Sequence, residues 1–180
     1  MTGGVRNWRT ELIEAHHGLF QPPAGNPEAA AGWPACGVGW HDLLARMCVR
    51  IRGAIQADGD TFRLSEIKEK YGSLRVSWDG SLSPEASAQV EEAIALAETA
   101  SACTCEVCGE FGRLHGDGWL TTRCASHAGG RPIVETRPEF EHIDIVHHFA
   151  GGATRVICRR YDRETDSFQD VDPTSLRSGE

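Results

Sequence analysis

Residues 103–127 read CTCEVCGEFGRLHGDGWLTTRCASH and hold four of the chain's seven cysteines. Within them, Cys105-x2-Cys108 and Cys124-x2-His127 form two ligand pairs separated by fifteen residues. A Cys-x-x-Cys turn offers two thiolates from one tight knuckle. Zn2+ takes about four such soft or borderline ligands in a tetrahedron, with metal–sulfur distances of about 2.3 Å. Gly109 follows the knuckle, and its freedom at positive φ lets the backbone turn so that amides face the sulfurs. The intervening FGRLHGDGWLTTR has room for a hairpin turning at HGDG, which would return Cys124 and His127 to the knuckle at the start of a helical turn. Four protein ligands close such a site, so it contributes folding energy and leaves no position for water or substrate. Two other chemistries compete for the same residues. CEVC could be a buried turn with free thiols, or a redox pair, which normally sits at a helix N-terminus after a strand. Gly109 and the second ligand pair favour the metal. Cys103 is a spare at a poor knuckle spacing, and His115 could stand in for His127 but lacks a cysteine three residues before it.

Other residues invite chemistry less strongly. Lys68, Lys70, Tyr71 and Arg75 cluster beside Gly72 and could bind a phosphate or an acidic partner. Lysines also blunt the pairing of an exposed strand edge, which explains the same cluster without a ligand. Cys36 precedes the helix beginning near Trp40, where a thiol can become nucleophilic with His41 as base. No third group orients that pair, so packing is the simpler role. On a strand, His142, Asp144 and His148 would share one face and His147 the other, as a metal site would need; solvent exposure alone also explains such a face. Arg155, Arg159, Arg160 and Arg163 are offset by Asp162, Glu164 and Asp166, which favours cross-strand pairing. A nuclease built on the finger would need further metal ligands, and HGDGW offers only His115 and Asp117. No Ser-His-Asp set or phosphate-cradling glycine loop can be assigned.

The elements that must position these residues follow from periodicity. Val5, Trp8, Leu12, Ala15 and Leu19 mark one helix face, and Trp40, Leu43, Leu44, Met47, Cys48, Ile51 and Ile55 a second. Asp42 and Arg46 stand at i,i+4 on the outer side of the second, where they could pair. Between the two, residues 21–39 read as an extended, Pro/Gly/Ala-rich connector, and ADGD at 57–60 stops the second helix. TFRL and SLRVSW read as strands, the latter alternating Leu74, Val76 and Trp78 with Ser73, Arg75 and Ser77; SEIKEKYG between them is a helical turn or a strand with a bulge at Gly72. Ser83 and Pro84 start a helix that buries Val90, Ile94 and Ala97. EHIDIVHHF, TRVICRRY and SFQDV predict a C-terminal antiparallel meander.

The chain has 180 residues and a formal net charge of −8. Residues 1–102 carry nine basic and thirteen acidic side chains, residues 103–131 three of each, and residues 132–180 six and ten. No segment has the positive excess that non-specific nucleic-acid binding needs. The longest apolar run is too short to span a bilayer. The N-terminus lacks a secretory signal, and the odd cysteine count argues against a disulfide framework, so the expected compartment is the cytoplasm.

Knuckle, hairpin and second pair together resemble a treble-clef or zinc-ribbon finger. In addition IKEKYGSLRVSW, residues 67–78, is similar to the K-E-K-(F/Y)-G-x-L-R stretch of a group of small uncharacterised bacterial and phage-encoded proteins. There it is followed by C-E-x-C-G and later a tryptophan, a cysteine and a histidine, matched here by Cys105, Glu106, Cys108, Gly109, Trp119, Cys124 and His127. Gly37 to Trp40 fits the G-x-G-W of the same group. The likeness covers residues 36–128 and implies a bacterial or phage origin and a zinc ion, but no activity.

The expectation is an α+β protein: amphipathic helices on short antiparallel strands, an embedded treble-clef-like finger and a C-terminal β-meander. Residues 1–102 form the helix and strand core, 103–131 the finger, and 132–180 the final sheet, packed with the rest as one domain. The metal ligands are Cys105, Cys108, Cys124 and His127, holding Zn2+. The leading function is a non-enzymatic binding or regulatory module for another protein, with Lys68, Lys70, Tyr71, Arg75, Arg113 and Arg123 as its surface. A nucleic-acid-binding regulator using the same surface is the alternative, and a metal-dependent hydrolase or nuclease using the C-terminal histidines is a weaker one. No membrane association is expected.

Overall fold

The structure, a computed structural model, describes residues 7–55, 60–150 and 153–177. Helix α1 spans Trp8–Ala15, capped by the Asn7 side chain, which accepts from the Arg9 amide. The predicted face continues to Leu19, but the helix breaks at His16 (φ −124°) and resumes as the short α2, His17–Phe20. Val5 lies outside the described residues. Helix α3, His41–Ala54, buries Leu43, Leu44, Met47, Cys48 and Ile51. Asp42 stands in its first turn and Arg52 in its last, each complementing the helix dipole. The predicted Asp42–Arg46 pair does not form. Asp42 meets His41 at 3.0 Å, and Arg46 meets Asp166 of the C-terminal sheet at 2.8 Å, where the carboxylate is less exposed to competing water. The stop signal predicted at 57–60 falls mostly outside the described residues.

The first sheet runs in the order β1–β2–β3. Strands β2, Thr61–Lys70, and β3, Ser73–Ser81, form an antiparallel hairpin, so SEIKEK is strand throughout. Its bulge lies between Leu64 and Glu66, not at Gly72. Tyr71 (φ 55°) and Gly72 (φ 80°) make the turn instead, and both lie in the left-handed region. Leu64, Ile67 and Leu74 are buried, while Arg75 and Ser77 face solvent. Strand β1, Pro34–Ala35, pairs parallel with β2 inside the predicted connector. Arg9 holds this segment, donating to the carbonyls of Pro34 (2.7 Å) and Cys36 (2.5 Å).

Helix α4, Pro84–Ser101, starts as predicted: the Ser83 hydroxyl accepts from the Ala86 amide, and Pro84 is the first helical residue. Val90, Ile94 and Ala97 are buried in the core shared with α1, α3 and the β2–β3 hairpin. The final sheet, β6 (Ile143–Ala150), β7 (Ala153–Asp162) and β8 (Ser167–Val171), is the expected meander. Between the two sheets lies a small hairpin, β4 (Arg113–His115) with β5 (Thr121–Arg123). Arg159 joins the final sheet to α4 by contacting both Asp144 and Glu92, and its guanidinium stacks 4.1 Å over the Phe168 ring. Tyr161 reaches the shared core. No helix among the described residues is long and apolar enough to cross a membrane.

Candidate metal centre

The knuckle Cys105–Gly109 follows α4 after three residues, so its geometry starts from a packed helix end. The Cys105 amide donates to the Glu110 carbonyl and the Gly109 amide to the Cys105 carbonyl, both at 2.8 Å. Gly109 takes φ 81°, as the turn requires. The β4–β5 hairpin then reverses the chain through Gly116 and Gly118, both at positive φ. After β5, Cys124 and His127 sit in a turn closed by the His127 amide donating to the Cys124 carbonyl (3.0 Å), in place of the predicted helical start.

Cys105, Cys108, Cys124 and His127 converge, with all four ligand atoms within 4.8 Å of one another. The Cys108 and Cys124 sulfurs are 3.7 Å apart, and His127 Nδ1 lies 3.6 Å from Cys105 Sγ and 3.2 Å from Cys124 Sγ. Tetrahedral coordination with metal–sulfur bonds of about 2.3 Å and metal–nitrogen bonds of about 2.0 Å gives sulfur–sulfur edges of about 3.8 Å and sulfur–nitrogen edges of about 3.5 Å. Two of the three separations match those edges, and the third is about 0.3 Å inside. The donor set therefore fits one tetrahedral metal ion.

Electrostatics favour the charged form at the innermost ligand. Burial opposes the Cys105 thiolate. The backbone amides of Cys124, Cys108 and Val107, together with the Cys108 side chain, outweigh it and bring the pKa down to about 6. Other cysteines differ sharply. Cys103 is fully buried, its thiol donates to the Ala100 carbonyl, and burial pushes its pKa up. Cys36 is pushed up to about 12 by burial and by Glu106, against the pull of Arg9, which favours its packing role over a thiolate; His41 is turned to Asp42. His115 is buried with Nδ1 3.0 Å from the Arg131 carbonyl, which makes it a brace for the hairpin and not a ligand.

The loop before α3 locks onto the knuckle. The Gly37 amide donates to Glu106 Oε1, the Gly39 amide to the Glu106 carbonyl and Trp40 Nε1 to the Thr104 carbonyl, each at 2.8 Å. A Cβ on Gly39 would lie 2.2 Å from the Cys105 carbonyl oxygen, and one on Gly37 would lie 2.2 Å from that of Glu106. Glu106 also accepts from Arg123 at 2.7 Å, tying loop, knuckle and β5 together. The sequence marks Glu106 only as part of the C-E-x-C-G likeness and gives it no role; its signal is a carboxylate inside the Cys-x-x-Cys turn.

The expected interaction surface divides. Lys68 pairs with Glu66 at 2.7 Å, Arg123 with Glu106, and Arg75 lies 4.0 Å from Glu98. Among the described residues, Lys70 and Arg113 alone of the five basic side chains have no carboxylate partner, so carboxylates offset three of the five charges. Lys70 lies 5.4 Å from the exposed ring of Tyr71. Arg113, Arg75 and Tyr71 do meet, on a groove of about 600 Å³ between the β2–β3 turn, the end of α4, the finger hairpin and residues 133–143. Phe111, Ile133 and Phe140 line it as well, and periodicity gave no sign of them because Phe111 and Ile133 sit at isolated β-bridges and Phe140 in a three-residue 3-10 helix, all too short to show a repeat. The KEKYG turn reaches the finger here: the Thr122 hydroxyl donates to the Gly72 carbonyl (2.5 Å), and the Gly72 amide to Glu69 (2.6 Å).

Among the described residues, the C-terminal histidines are not gathered into a metal site. His142 has φ 57° and precedes β6, so strand alternation does not reach it. Asp144 is held by Arg159 at 2.6 Å, since a half-buried carboxylate beside a guanidinium gains more from that pair than from an open site. His147 lies on the opposite face to Asp144, and the side chain of His148 lies outside the described residues. Among the described residues, the finger cluster is the single group of His, Cys, Asp and Glu side chains arranged for a metal.

Fold and site define an α+β protein with a Cys3His cluster able to hold a metal ion. No family model matches the chain, and neither does any curated protein or solved structure.

Proposed function

We propose that the chain is a zinc-stabilised, non-enzymatic binding module that takes a segment of another protein in the groove between the finger and the KEKYGSLR hairpin. Zinc is supported by the donor set. Three thiolates and an imidazole at tetrahedral spacing suit it above harder divalent ions, and four protein ligands leave no open position for catalysis. The free cysteines fit the cytoplasm, where thiols stay reduced.

The observation that carries the binding role is the gathering of exposed apolar side chains. Tyr71, Phe111, Ile133 and Phe140 are each more than 40% exposed, and all four line the one groove. Contiguous exposed apolar surface of this kind marks binding sites. Arg113, Glu98 and Glu141 line the same groove, a mixed-charge border suited to a peptide more than to a polyanion.

The test combines metal analysis with capture of partners from a lysate of the source cell. One zinc per chain is expected. A partner retained by the wild type and by Val49→Asp, an exposed apolar site on α3, should be lost with Phe140→Asp. Retention by Phe140→Asp would overturn the groove assignment. Retention of nucleic acid, with affinity falling steeply as salt rises, would favour the regulator of nucleic acid instead.

A further inference from the structure

The four ligands differ in their access to solvent. Cys105 is fully buried beneath the loop carrying Gly39, whereas Cys108 and His127 are exposed and Cys124 is half-exposed. The two accessible sulfurs lie 3.7 Å apart, and they come from the two arms of the finger. A disulfide bond is about 2.05 Å long, so closing the gap needs only about 1.7 Å of movement from two side chains that are not packed in the core. Cys103 cannot compete, since it is buried and its thiol is engaged with the Ala100 carbonyl.

We propose that the centre is a peroxide-sensitive switch in which Cys108 and Cys124 are the oxidised pair and Cys105 is not. This rests on the zinc assignment above and adds its regulation. The Cys108 thiolate attacks hydrogen peroxide, the O–O bond breaks, and hydroxide leaves to become water on taking a proton. Cys108 is then a sulfenic acid. The Cys124 thiolate attacks that sulfur, the S–S bond forms, and a second hydroxide departs and is protonated. The two sulfurs together give up two electrons, and peroxide is reduced to two waters. The metal ion keeps only Cys105 and His127 as ligands and dissociates. The new bond joins the same two arms that the metal joined, so the β4–β5 hairpin stays closed and a dithiol can reverse the change. Phe111, on the groove wall, lies three residues from Cys108, so groove and switch share a segment.

The experiment uses the wild-type chain loaded with zinc and freed of reductant. Zinc is first counted, then hydrogen peroxide is added while a chromophoric chelator reports release, and disulfides are mapped by non-reducing peptide mass spectrometry. The expected result is release of one zinc per chain, loss of two free thiols, a Cys108–Cys124 crosslink, and recovery of zinc binding after dithiothreitol. A chain that holds no zinc before peroxide overturns both the zinc assignment and the switch. A chain that holds one zinc and keeps it through peroxide overturns the switch alone, as does release accompanied by a disulfide to Cys105.

Discussion

Gly39 shows how far the metal centre depends on residues that never touch the ion. Its amide donates to the Glu106 carbonyl, and a methyl group there would meet the Cys105 carbonyl at 2.2 Å and the Cys108 amide at 2.7 Å. Those are backbone atoms of the knuckle, which cannot swing aside as a flexible side chain would. Gly39→Ala should therefore cost about 2–3 kcal/mol, in the range for overpacking. Because the strain falls on the ligand-bearing turn, apparent zinc affinity should drop about tenfold or more in a chelator competition, each tenfold being about 1.4 kcal/mol. Gly53→Ala supplies the contrast. Its Cβ would meet nothing within 4 Å, and it lies in α3. That change should leave zinc affinity alone and raise stability by about 0.5–1 kcal/mol through helix propensity. Equal effects of the two substitutions would remove the loop's supporting role. The ligands themselves were legible because their side chains carry the chemistry. Gly39 was legible only as part of a pattern, since what it contributes is the absence of an atom.

At the scale of elements, the free edge of β3 shows what periodicity conveys and what it misses. The alternation of Leu74, Val76 and Trp78 marks the strand and its buried face, and the strand follows it. Alternation does not say what satisfies the outward amides of an edge strand. Here α4 does so: the Leu74 amide donates to Ser101 Oγ at 2.7 Å, and the Val76 amide to Glu98 at 2.9 Å. The Ser101 hydroxyl in turn donates to the Glu98 carbonyl one turn back. Burial pushes the Glu98 carboxyl pKa up, against the Val76 amide and Arg75, which favour its charge. Ser101→Ala leaves the buried Leu74 amide without an acceptor, which should cost about 1–3 kcal/mol in urea denaturation of the metal-loaded chain. Faster hydrogen exchange at the Leu74 amide should accompany it, and unchanged exchange would show that another group takes over. Short pairings are similarly silent in sequence. Strand β1 is two residues long and parallel, and it is fixed by Arg9 from a distant helix, so the stretch around it looks like loop. The three strands of the final meander were legible because β6 and β7 are rich in β-branched and aromatic residues and turn residues bound all three.

The whole molecule is held together by charge as well as by apolar packing, and the two kinds of ionisable contact should separate on a pH axis. Asp166, in the last turn of the final sheet, accepts from Tyr161 and contacts Arg46 and Arg50 of α3 at 2.8 and 2.9 Å. Burial works against its charge, but Tyr161 and the two arginines more than offset this and hold its pKa below the usual 3.8. A carboxylate whose pKa is lower folded than unfolded stabilises the protein fully above the unfolded value, and that contribution fades as pH falls through the folded one. Asp166→Asn should thus lower the urea midpoint of the zinc-loaded chain by the same amount at every pH from 8 down to about 5. The metal centre behaves oppositely over that window. Its thiolates and imidazole must be deprotonated to bind, so protons compete with the ion well above the carboxylate range. Stability lost by the wild type between pH 8 and 5 should be matched by released zinc and should be equally present in Asp166→Asn. If the wild type and the variant instead converge as pH falls through 6, the link between α3 and the final sheet depends on the metal, and the two halves of the molecule are not independently anchored.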